Sequence, residues 1–171
     1  AVISVAGDRD GLVSGVNVAG VRATADAART AGVRRFVHCS SVHAFDLMAC
    51  RGHVVDATSP RATDPHLPAY DRSKAAGERA LHEVIAAGLD AVIVNPTGII
   101  GPIDAAPSRM GAVLLAAAAG RLPATVQGGF DWVDVRDVVT ALLAAAERGT
   151  TGENYLVGGH FGSIADMAAL A

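Results

Sequence analysis

Tyr70 and Lys74 stand four residues apart, a separation that puts two side chains on one face of a helix. The chain has two tyrosines and, among 14 Lys and Arg residues, a single lysine. Random placement sets a tyrosine four residues ahead of that lysine in about 2 of 170 such chains, so the spacing carries information. A free tyrosine titrates near ~10 and is a reluctant proton carrier at neutral pH, whereas a nearby ammonium favours the phenolate and lowers that value. The pair therefore suits general acid–base chemistry; read structurally, it is equally a half-buried tyrosine beside a solvated lysine. Ser40 and Ser41 add hydroxyls at the end of an apolar stretch. Alone, such a pair reads as a backbone cap. With Tyr70 and Lys74, a serine can hold a substrate carbonyl while the tyrosine supplies a proton and a cofactor supplies hydride.

The elements that must position these residues follow from apolar periodicity and its breakers. Residues 1–6 read as a buried strand ending at Gly7. Ser14 is the expected N-cap of a helix over residues 15–30, whose apolar stripe is Val16, Ala19, Ala23 and Ala27, with Gly32 at the C′ position. Residues 34–41 form a second strand, so Ser41 falls at its carboxyl edge. Residues 42–66 read as a long loop of the kind that is usually functional. A helix over 68–87 is closed by Gly88, and a strand over 91–95 is halted by Pro96. Further on, the pattern gives a helix around 109–119, a short extended piece near Val126, a strand over 131–135, a helix over 136–148, a strand over 153–157 and a helix over 163–170. Strands alternating with helices imply an α/β fold, Rossmann-like and doubly wound around a mostly parallel sheet, with ligand sites beyond the carboxyl ends of the strands at Gly7, Ser41 and Asn95. No repeat or linker divides the chain, which reads as a single partial domain.

Composition removes other function classes. Hydrophobic residues make up 51% and charged residues 18% of the 171, which suits a buried aliphatic core and not disorder. A net charge of −3 gives no electrostatic case for nucleic acid or an anionic membrane. No apolar run approaches the roughly 20 residues of a membrane span. Two cysteines make no disulfide framework, and the expected location is cytoplasmic. The six histidines lack H-x3-H or H-E-x2-H spacing, so no metal site is expected. Cys39 reads as a small buried hydrophobe, Phe130 and Trp132 as packing near the site, and His43 and His53 as loop histidines close to it.

Taken together, VISVAG at 2–7, VNVAG at 16–20, GVRRFVHCSS at 32–41, TSPR at 58–61 and AYDRSKAAGE at 69–78 resemble the extended short-chain dehydrogenase/reductase family of NAD-dependent epimerases, dehydratases and dihydroflavonol-reductase-like enzymes. The likeness continues through VNPTGIIGP at 94–102, WVDVRDVV at 132–139 and GENYLVGG at 152–159. It implies Tyr70 as catalytic acid/base, Lys74 as its partner and ligand of the nicotinamide ribose, and Ser41 as the residue that polarises the substrate carbonyl. It further implies Asn17 in the proton relay, Gly7 beside the cofactor, and Asn95, Pro96 and Thr97 on the turn next to the nicotinamide. The cofactor implied is NAD or NADP, the substrate a small molecule, and the assembly a homodimer through the helices at 15–30 and 68–87.

Two departures shape the expectation. The family's Gly-rich dinucleotide fingerprint precedes the segments matched here, and Gly7, Gly11 and Gly15 do not have its spacing. The chain opens on an apolar run without Met and stops soon after GENYLVGG. It is therefore expected to be the catalytic middle of a longer protein, lacking its first strands and most of a C-terminal substrate lobe, with roughly 60 further residues upstream holding a strand, a Gly-rich turn and a helix. Residues 42–45 offer no carboxylate of the sort sugar-nucleotide dehydratases carry there, which disfavours dehydration and points to the reductase-like branch. An epimerase using the same residues, or a non-catalytic cofactor-binding relative, stands beside that reading.

Overall fold

The structure, a computed structural model, describes residues 2–4, 7–8, 10–104, 108–124 and 127–170. It divides into two compact units, residues 1–95 with 141–156 and residues 96–140 with 157–171.

The first unit is built on helix α1, residues 12–30, in which α-helical Leu12–Ser14 and Gly20–Thr30 flank a π-helical stretch, Gly15–Ala19. Ser14 is not the cap. The Asp8 carboxylate accepts the main-chain N–H groups of Val13 and Ser14 at 2.8 and 2.9 Å, so the helix starts earlier and Ser14 lies inside it. Nor is the packed stripe the one its apolar residues suggest: Val16, Ala19, Ala23 and Ala27 are exposed, while Val13, Asn17 and Ala25 are buried. An asparagine at the centre of the buried face hides that face from an apolar count. The C-terminus follows expectation, with Gly32 at φ 66° and Val33 N–H returning to the Ala28 carbonyl.

Strand β1, Phe36–Cys39, runs parallel to β2, Ala91–Pro96, with His38 opposite Ile93, and β5, Asn154–Val157, lies on the other side of β2. Between β1 and β2 come a short 3-10 turn, Val42–Ala44, the long loop, and helix α2, Ala69–Ala86, which Gly88 closes at φ 106°. The loop is pinned at its neck, where Phe45 and Arg61 form an antiparallel bridge. The core gathers Ala25 of α1, Leu81 and Val84 of α2, then Leu89, Ala91 and Ile93, with Val21, Ala28, Phe36 and Ile85 packed around it. The strand read over residues 1–6 does not form at Val2–Ser4. The carboxamide of Asn17 takes both main-chain groups of Val2, at 2.8 Å each, in place of a neighbouring strand. Ala1, Val5, Ala6 and Val126 lie outside the described residues.

The second unit holds β3, Gly98–Ile100, parallel to β4, Gly129–Asp134, and β6, His160–Ser163, antiparallel to β4. Its helices are α3, Arg109–Ala118, and α5, Ile164–Leu170, while α4, Val135–Arg148, crosses from this unit into the first. Strands β3 and β6 are absent from the sequence pattern because they are short and glycine-containing. Trp132 is buried, donates to the Gly162 carbonyl at 2.8 Å and meets Phe130 edge to face.

Close approach of α1 and α2 depends on Gly77, where a Cβ would overlap the main-chain carbonyl oxygen of Asn17. Gly77→Ala should therefore lower stability by about 1–3 kcal/mol despite alanine's better helix propensity. Gly20→Ala, which meets only ordinary contact, should raise it by up to about 1 kcal/mol. Equilibrium urea unfolding of the two variants checks the opposite signs.

Candidate active site

Helix α2 carries Tyr70 and Lys74 on one face, and β1 delivers Ser40 and Ser41 to the sheet edge before it. Ser41, Tyr70 and Lys74, singled out by sequence, thus come together in the first unit, with Ser40 beside them. Lys74 is buried, and its Nζ donates to the Ser40 carbonyl at 3.4 Å while lying 5.8 Å from the Tyr70 ring centroid. Burial lowers its pKa. Tyr70 is half-buried, and its phenol is pushed above the usual value by that burial, opposed by the nearby hydroxyl of Ser41. The lowering expected from Lys74 is not what governs it, because the ammonium is turned to the Ser40 carbonyl. Ser41 caps the following turn, where its Oγ accepts the His43 N–H at 3.2 Å. The hydroxyl of Ser40 is buried without a partner.

The remaining candidates lie further out. Asn17 is buried, and its Nδ2 donates to Ser73 Oγ at 2.9 Å, one residue before Lys74 on α2, as well as to Val2. Gly7 has φ 95° with open space around the position a Cβ would take. Asn95 is fully buried and its carboxamide is consumed within the fold, donating to the Ser41 carbonyl at 2.9 Å and to Glu78 Oε1 at 2.6 Å. Pro96 ends β2, and Thr97 belongs to the second unit, where its hydroxyl donates to Asp131 at 2.9 Å.

Sequence reading passed over several groups here. Glu78 extends the Tyr70, Lys74 stripe by another four residues and is 2% exposed. Its Oε2 receives Arg61 and Asn154 at 2.9 Å each, and Asn154 also donates to Asn95 at 2.7 Å. The i, i+4, i+8 spacing along α2 was the available signal. His43 packs edge to face on Tyr70 at 5.5 Å, with Nδ1 3.1 Å from Asp71 Oδ1. His53 is exposed and plays no part in this cluster. Cys39, read as buried, is exposed at the end of β1, although neighbouring atoms desolvate its thiol and raise its pKa. Among the described residues, no helix is long and apolar enough to cross a membrane.

A family model described as the NAD dependent epimerase/dehydratase family matches residues 3–158. The chain belongs to that family of NAD-dependent enzymes. It is 42% identical over 167 residues to sterol demethylase protein B of Methylococcus capsulatus, covering 94% of this chain and 48% of that protein. A Synechocystis protein named for dihydroflavonol 4-reductase is 35% identical over 155 residues, covering 88% of this chain and 45% of its own length. The crystal structure of gox2253 superposes with a TM-score of 0.84 at 35% identity, over 92% of this chain and 48% of that one. The chain thus spans about half the length of the relatives it matches.

On β1, His38 is held neutral, its pKa lowered to about 4 by burial and, second, by the Lys74 ammonium. Its folded value lies below the unfolded one, so its contribution to stability is complete above pH ~6.5 and is lost as pH falls toward 4. That loss amounts to about 3 kcal/mol at most. Acid unfolding followed by circular dichroism should show this slope, and His38→Gln should flatten it between those pH values.

Proposed function

We propose that this chain is the catalytic part of an NAD-dependent oxidoreductase that reduces a carbonyl or oxidises a secondary alcohol. The observation carrying the proposal is the convergence of Ser41, Tyr70 and Lys74 at one strand edge, with Lys74 Nζ on the Ser40 carbonyl and 5.8 Å from the Tyr70 ring centroid. The residues present fit the nicotinamide-ribose end of the cofactor. Lys74 Nζ has three donors and uses one, on the Ser40 carbonyl, leaving two for ribose hydroxyls. When bound, NAD supplies the hydride chemistry. Everything else falls to the protein. Ser41 and Tyr70 hydroxyls hold the substrate oxygen from two sides, which orients the carbonyl carbon and stabilises charge developing on its oxygen. In reduction Tyr70 gives that oxygen its proton; in oxidation the phenolate takes it. The positive charge of Lys74 favours the phenolate, and this matters more because burial alone holds the phenol high.

The 42% and 35% identities to a sterol demethylation protein and a protein named for a reductase support the oxidoreductase reading over epimerisation. Stoichiometric NADH consumption with a ketone substrate distinguishes the two, since an epimerase returns the hydride to its substrate. A homodimer through α1 and α2 fits the shallow groove between these helices, where Ser14, Val18, Ala19 and Ala76 are flanked by Arg22, Arg79 and Glu83.

In the full-length protein, Tyr70→Phe should leave NAD binding nearly unchanged and cut kcat at least ~100-fold, the scale for losing a positioned general acid. Lys74→Ala should weaken NAD binding and move the rising limb of alcohol oxidation to higher pH, because the phenol then ionises without a neighbouring cation. Lys74→Arg should rescue only part, since a planar fork cannot place its donors where a compact ammonium does. Steady-state kinetics across pH, with NAD affinity by fluorescence titration, check all three; wild-type turnover in Tyr70→Phe would sink the assignment.

A further inference from the structure

The buried polar cluster behind the strand edge has no part in proton or hydride transfer, yet it holds the main chain of the proposed catalytic serine. Ser41's carbonyl accepts from Asn95 Nδ2. Asn95 is fixed by Glu78 through that same nitrogen and by Asn154 through its Oδ1. Glu78 is a carboxylate 2% exposed, so it requires a cation, and Arg61 supplies one at 2.9 Å. The guanidinium forks, NH1 to Glu78 Oε2 and NH2 to Asn154 Oδ1 at 2.9 Å each, and its Cζ lies 4.1 Å from the ring centroid of fully buried Phe45. Arg61 and Phe45 are also the bridge that closes the loop, reinforced by main-chain bonds from Asp46 N–H to Pro60 O and from Ala62 N–H to Ala44 O, at 2.8 and 3.0 Å. An unbroken line of contacts therefore runs from the neck of the long loop to the peptide group of Ser41.

We infer that Arg61 and Glu78 are positioning residues for Ser41: the seating of Arg61 sets the serine hydroxyl against the substrate oxygen. This rests on the functional reading given above, in which Ser41 holds the carbonyl. The geometry demands a forked cation. An ammonium can neutralise Glu78 but, as a compact point charge, cannot span Glu78 and Asn154 together while covering the Phe45 ring. Charge and serine geometry are thus separable by substitution.

The test is a double-mutant cycle in the full-length protein, with Arg61→Lys made in the wild-type and Ser41→Ala backgrounds and kcat/KM measured for NADH-dependent carbonyl reduction. Ser41→Ala alone should cost ~100-fold or more, as for loss of a single oxyanion donor. Arg61→Lys should cost about 10- to 100-fold where Ser41 is present, the scale of a small misplacement, and less than twofold where it is absent, with NADH affinity unchanged in both. Arg61→Met with Glu78→Gln, which removes both charges of the pair at once, should reproduce the dependence on Ser41 if the lysine variant does not fold. Equal losses in the two backgrounds, or no loss in either, overturn the positioning role and leave the functional reading standing. Undiminished turnover in Ser41→Ala overturns both.

Discussion

A carboxylate withdrawn from water must be matched by charge and by hydrogen bonds, or the fold will not keep it ionised. Glu78 is such a group, and the first unit is arranged around satisfying it. One oxygen takes Asn95 of β2; the other takes Asn154 of β5 and Arg61 from the loop. Helix α2, two strands and the loop are therefore fixed to one another by side chains as well as by apolar packing. Because Tyr70 and Lys74 project from the same helix, the demand of Glu78 also fixes where their face meets the end of β1.

Apolar packing supplies the complementary constraint on the other side of α2. Leu81 and Val84 lie against Ala25 of α1 and Ile93 of β2, and the missing side chain at Gly77 lets the two helices touch through main-chain atoms. The helix is thus held on one side by directional polar contacts and on the other by close packing, which suits an element that presents reactive groups. Burial also sets the electrostatics of the edge. It keeps His38 neutral and raises the phenol of Tyr70.

Much of this was legible in the residues themselves. The tyrosine–lysine spacing, the strand-end serines, and Gly32 and Gly88 after their helices each rest on local rules that tertiary contacts did not override. What escaped reading depends on partners far apart in sequence. Arg61, Glu78, Asn95 and Asn154 have no motif in common, and their meeting is created by the sheet order β1-β2-β5. The stripe of α1 was misjudged because Asn17 occupies a core position, where it serves Val2 and Ser73 in place of an apolar neighbour. Strands β3 and β6, three and four residues long, are too short for alternation to register.

The π-helical stretch at Gly15–Ala19 carries a further consequence. A wide turn accommodates one residue more than an α-helical turn over the same length, so it rotates everything downstream by roughly 100° about the axis relative to an unbroken α-helix. Val21, Ala25 and Ala28, all downstream of that turn, lie in or against the core. Both segments of α1 meet α2, the first through Asn17 at Ser73 and the second through Ala25 at Leu81 and Val84. Deleting one residue within the turn would rotate the downstream segment and swing Val21, Ala25 and Ala28 off the surface they now cover.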